Sequence, residues 1–167
     1  MKNSVFLSFL VVFSLGLFGC PYESQVPISQ PSIPVDAQWL GTWNSKDEVY
    51  NSYKVSKASA LEYHIEQHNI RQVSHFRGFL SEVRGNMFMN LYSDSAKTYY
   101  LYRVKLEDSG KKLIFIPLKR DLKDHFGSMD GLRNYIEKNM NFRSLYSEKD
   151  QAVFEKESDE LTATALN

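Results

Sequence analysis

With a single cysteine in 167 residues, Cys20, the chain can form no internal disulfide. A folded domain must therefore rest on its hydrophobic core, and the roughly 130 residues beyond the N-terminal region suffice for one. An excess of charge is missing too, since 20 Lys and Arg stand against 20 Asp and Glu. That balance argues against a nucleic-acid partner, whose recognition leans on a clustered basic surface. The apolar run VFLSFLVVFSLGLF, residues 5–18, falls short of the roughly 20 residues needed for a membrane-spanning helix. No Gly-X-Ser-X-Gly elbow and no glycine-rich phosphate loop occurs. These absences lead to the expectation that the protein is not an enzyme.

What is present begins with Lys2, followed by the uncharged run and then Cys20. A short basic start before an apolar core of about 7–15 residues marks a signal peptide. A buried helix would show a polar face at helical spacing, and this run is apolar all round. Leu17-Phe18-Gly19-Cys20 resembles the lipobox of bacterial lipoproteins: Leu17, Gly19 and Cys20 match, and Phe18 is bulkier than the usual occupant. The resemblance implies that residues 1–19 are removed, that Cys20 carries a diacylglyceryl thioether, and that its new amine is acylated. Two or more acyl chains hold a protein stably at a membrane, each buried methylene contributing about 0.8 kcal/mol. The implied address is the bacterial cell envelope, with the outer membrane preferred over the inner. The alternatives for Cys20 are a free thiol or an intermolecular disulfide.

Residues 20–38 carry Pro21, Pro27, Pro31 and Pro34 among Ser and Gln, with only Glu23 and Asp36 charged. Such a stretch buries too little apolar area to offset the ordering of its backbone. It reads as an extended tether, spanning at most about 50 Å at 3.1 Å per residue.

From Trp39 onward the pattern changes to short runs alternating at period two, which predicts strands. Leu61, Tyr63 and Ile65 alternate with Glu62, His64 and Glu66; Phe76, Gly78 and Leu80 with Arg77, Phe79 and Ser81. Met87, Met89 and Leu91 alternate with Phe88, Asn90 and Tyr92, and Tyr100, Tyr102, Val104 and Leu106 share a face. KKLIFIPL follows a glycine-containing turn at 107–110. The expectation is a mainly β fold: one antiparallel meander over 39–157, forming a curved sheet or small barrel. One helix is predicted near 128–140, with Ser128 as its cap, Asp130 in the first turn and Lys138 in the last. It is expected to cover an open edge or end of the sheet. FRSLYS and QAVFEKE read as returning strands, and 158–167 as a frayed tail.

Gly41-Thr42-Trp43 resembles the Gly-X-Trp signature of lipocalins and related calycin barrels. The resemblance implies an up-and-down barrel whose closed end is plugged by the Trp, with an Arg from a late strand packed across it; Arg143 is the candidate. The alternative is that Trp39 and Trp43 are ordinary core aromatics. The inward candidates Tyr63, Ile65, Met89, Leu91, Tyr102, Val104 and Phe115 either line a pocket for a small apolar ligand or fill the barrel themselves.

His64-X-Glu66-X-His68 invites a metal, but residues four apart on a strand lie roughly 13 Å apart. A zinc ion with ligands about 2 Å away does not easily take both histidines. The three read as a solvated polar face, while His75 and His125 have no local partner pattern. No metal and no cofactor is expected. Two functions remain: a lipid-anchored module that binds another envelope protein, and a carrier of a small apolar ligand.

Overall fold

Strand-forming runs alternating at period two must bury one face each, and in this chain eight of them close on one another. In a computed structural model of the chain, residues 22–47, 51–120, 122 and 126–158 are described. The expected signal peptide, Cys20, His125 and nearly all of the expected tail lie outside the described residues.

The strands are β1 (Glu23–Ser24), β2 (Gly41–Ser45), β3 (Ser52–Lys57), β4 (Tyr63–His68), β5 (Val73–Val83), β6 (Asn86–Ser93), β7 (Thr98–Glu107), β8 (Lys112–Pro117) and β9 (Ala152–Lys156). Each of β2 to β8 pairs antiparallel with the next, and β9 pairs with both β8 and β2, so β2–β9 form a closed antiparallel barrel. The extra strand β1 lies against Tyr99 and Tyr100 of β7, beyond the stretch of β7 that pairs with β8. Arg84 and Gly85, with φ of 48° and 76°, make the tight turn between β5 and β6. Two successive residues at positive φ match the right-handed twist of the hairpin. The strand β3 was missed in the sequence, although Tyr53 and Val55 carry the same alternation.

The alternation read from β4 to β8 holds. Tyr63, Ile65, Phe76, Leu80, Met87, Met89, Leu91, Tyr100, Tyr102, Val104, Leu106, Leu113 and Phe115 belong to one interior cluster. A second cluster lies outside the barrel wall, where Val83, Phe88, Leu101, Ile114 and Ile116 pack with Ile28, Leu132, Ile136 and Leu145. These strands are buried on both faces, which is why LIFIP reads as a continuous apolar run.

The helix α1 (Met129–Asn139) forms as expected, with Ser128 Oγ accepting from the Gly131 N–H. Its location corrects the expectation. A closed barrel has no open edge, so the helix covers the wall instead, through Leu132 and Ile136. FRSLYS is not a strand: residues Arg143–Leu145 form a 3₁₀ turn, and only Tyr146 makes a bridge, to Leu118.

The larger correction concerns the tether. Residues 22–38 do not hang free: Tyr22, Val26 and Ile28 make a strap over the outer wall, with Tyr22, Ser24 and Ile28 buried, and Ile33 and Val35 then turn onto the interior cluster at the barrel end. Tyr22 N–H donates to the Leu118 carbonyl, and Ile28 N–H donates to Asn90 Oδ1 at 2.8 Å. The buried Asn90 also donates from Nδ2 to Ser81 Oγ, which in turn bonds Ser29 Oγ. Composition undercounted this segment, because a few apolar side chains and a satisfied polar network suffice when the barrel supplies the other surface. Asn90→Ala removes the acceptor of a buried N–H and should cost about 1–3 kcal/mol, read as a lower urea midpoint.

Candidate functional site

The end of the barrel at which β2 begins is shut by the chain that precedes it. Residues Ala37–Trp39 form a 3₁₀ turn, capped by the Asp36 carboxylate, that carries Trp39 into the interior cluster. Trp43 is fully buried, and its indole N–H donates to the Trp39 carbonyl at 2.9 Å. Lys156, near the end of β9, places its ammonium 5.3 Å from the centre of the Trp43 ring and donates to the Gln38 carbonyl. Gly41 has φ of +121°, and a Cβ there would lie 3.1 Å from Lys156 Cε. The positive φ favours glycine at this position, and a Cβ there would also press on the lysine chain.

The Gly-X-Trp resemblance implies an Arg across the Trp; the cation that lies there is Lys156. Arg143, the expected residue, lies in the Arg143–Leu145 turn with its side chain 90% exposed and facing Glu148. Its position in FRSLYS suggested a strand that does not form, so the assignment fails with the strand.

All seven pocket candidates, Tyr63, Ile65, Met89, Leu91, Tyr102, Val104 and Phe115, are brought together inside the barrel. Tyr63, Ile65, Met89, Leu91 and Val104 are buried there, while Tyr102 and Phe115 are only partly buried. A Cβ at Gly78 would stand 2.8 Å from Ile65 Cδ1 and 3.0 Å from Met89 Sδ, so even a methyl group there demands displacement. Tyr102 and Phe115 meet edge to face at 5.4 Å between ring centres, and Phe115 meets Phe154 at 5.9 Å. Tyr63 has a structural use as well, its hydroxyl accepting from the Asp36 N–H at 3.0 Å. Burial foremost raises the pKa of that phenol, and the neighbouring Asp36 carboxylate adds to the rise.

An open groove of about 560 Å³ runs outside the wall between the strap and α1, lined by Ile28, Gln30, Glu82, Met129 and Arg133. Another, of about 510 Å³, lies at the plugged end, where Trp39, Met87, Val104 and Leu106 of the interior cluster line it together with Asn86 and Arg103.

On the outer face of β4, His64, Glu66 and His68 point away from the core, as the sequence predicts. Glu66 stands opposite His75 on β5. The rings of His64 and His75 stack at 5.5 Å with 20° between their planes. Glu66 Oε1 is 3.5 Å from His64 Nε2, and Oε2 is 3.2 Å from His68 Nε2. The hydrogen bond from His68 foremost holds the Glu66 carboxyl below its ordinary pKa, and the charge of Lys54 acts in the same direction. His75 joins this group by cross-strand register, a relation invisible to a motif search along the chain.

The fold defines the class as a closed eight-stranded antiparallel barrel with one extra strand and one helix on its wall. In comparisons with known proteins, no family model, no curated protein and no solved structure matches the chain.

Proposed function

We propose that this chain is a bacterial envelope lipoprotein, anchored through acylated Cys20, whose barrel is a non-catalytic module binding another envelope protein through its outer surface. The observation that carries the choice over ligand carriage is the packed interior around Gly78. A carrier needs an apolar cavity of several hundred cubic ångströms. Around Gly78 the side chains that would line one, Ile65, Met89 and Leu91, already crowd each other, and the space near Trp39 lies at the barrel end.

The packed strap sharpens the anchoring half of the reading. Tyr22 is buried against the barrel and lies only two residues beyond Cys20. Two residues reach at most about 7 Å. Acyl chains on Cys20 would therefore hold the barrel directly at the membrane surface, where the sequence alone suggested a stalk of about 50 Å.

Two measurements test the proposal together. The wild type should incorporate labelled fatty acid and fractionate with membranes, while Cys20→Ser should do neither; equal labelling of both forms would sink the anchor. Native mass spectrometry of the purified protein should show no stoichiometric apolar ligand in the barrel. A co-purifying molecule lost on substitution of Met89 or Leu91 would reverse the choice in favour of a carrier.

A further inference from the structure

Three outward side chains that are remote along the chain or alternate along a strand meet on the β4–β5 face. The ligand atoms of His64, Glu66 and His75 lie within 4.8 Å of one another. We infer that His64, Glu66 and His75 form a binding site for an exchangeable divalent transition-metal ion, with zinc as the best match.

The donor set is the first support. Two imidazoles and one carboxylate, with a position left to water, are a recurrent zinc environment, and the nitrogen donors select against calcium and magnesium. Distance is the second. Tetrahedral ligands at about 2.0–2.1 Å from zinc stand roughly 3.3 Å from each other. His64 Nε2 and Glu66 Oε1 are already 3.5 Å apart. His75 is exposed and needs to close by up to about 1.5 Å, within reach of side-chain torsion.

The two oxygens of Glu66 divide the work. Oε1 faces His64, and Oε2 is held by His68, so His68 orients the carboxylate without binding the ion itself. Hydrogen bonds of this kind to ligating groups fix their geometry and tune affinity. The strand-spacing objection to joint ligation by His64 and His68 still stands; His75 from the neighbouring strand removes the need for it. Of the nearby cations, Arg77 is drawn away by Asp94 at 3.2 Å and lies over the Tyr92 ring. Lys54, opposite Glu66 on β3, is exposed and free to turn into water. The open position faces solvent, so the ion would exchange readily and could take a fourth ligand from outside the chain.

The test uses full-length protein in detergent, purified without a polyhistidine tag and titrated calorimetrically with zinc chloride. One ion per chain is expected. His75→Ala and Glu66→Gln should each weaken binding by more than the roughly 10–100-fold typical of losing an outer partner, and His68→Ala by about that range. Zinc should shift the ring resonances of His64 and His75 in the wild-type NMR spectrum, a reading that does not depend on any variant folding. Absence of saturable binding, or equal affinity in wild type and His75→Ala with unmoved His64 and His75 signals, would overturn the site.

Discussion

Trp43→Ala should lower stability by about 3–5 kcal/mol, measured as the shift in urea midpoint at unchanged slope. The indole is 0% exposed, and removing it strips three things at once. Its apolar area leaves the interior cluster shared with Tyr63, Leu80, Val104 and Phe154. Its N–H no longer ties the barrel to the Trp39 carbonyl, which loosens the Ala37–Trp39 plug. The Lys156 ammonium also loses the ring it faces, a contact worth about 0.5–1 kcal/mol at an accessible site. Neighbours cannot collapse into the space easily, because the barrel wall is held by its closed hydrogen-bond ladder. An unchanged midpoint would show that the plug does not hold the barrel end shut. Trp43→Phe should retain most of the stability by keeping apolar volume while losing the hydrogen bond.

Ile28→Ala should cost about 2–5 kcal/mol by the same measurement. Ile28 is 0% exposed and belongs to the outer cluster with Phe88, Leu101, Leu132 and Ile136. It sits in the middle of the proline-dotted segment whose composition predicts a free tether, and the two descriptions give opposite expectations. A tether residue in water would tolerate alanine within a few tenths of a kcal/mol. The packed strap would not, since its backbone is held at this residue by Asn90 and the neighbouring Ser29 hydroxyl bonds that of Ser81. A shift of the predicted size would also bring Cys20 close to the barrel in solution, since Tyr22 would be docked with the rest of the strap. No shift would restore the stalk.

Much of the barrel was legible because a β-strand has a period of exactly two in side-chain direction, so the inward residues of β4 to β8 could be read before any pairing was known. The helix was legible from local signals too: the Ser128 cap, Asp130 in its first turn and Lys138 in its last. The strap was not, because its burial depends on Ile28 and Tyr22 meeting a second surface made by strands up to about a hundred residues away. Arg143 failed as the cation over Trp43 because FRSLYS offered apolar alternation without a partner strand. Lys156 lies in QAVFEKE, which was read as a strand, but nothing local to it points at Gly41 or Trp43.

The sequence by itself determined the alternating faces, the single helix, the absence of internal disulfides and the tryptophan at the start of the barrel. Each of these is a property of neighbouring residues, and local sterics and periodicity are enough to express it. Tertiary structure alone decided that the sheet closes, that Ile65 and Met89 crowd Gly78, and that the strap docks. It also decided which cation covers Trp43 and that His75 meets His64 and Glu66. These depend on strand register and on shared burial between distant segments, where the free energy belongs to the contact and to neither segment alone.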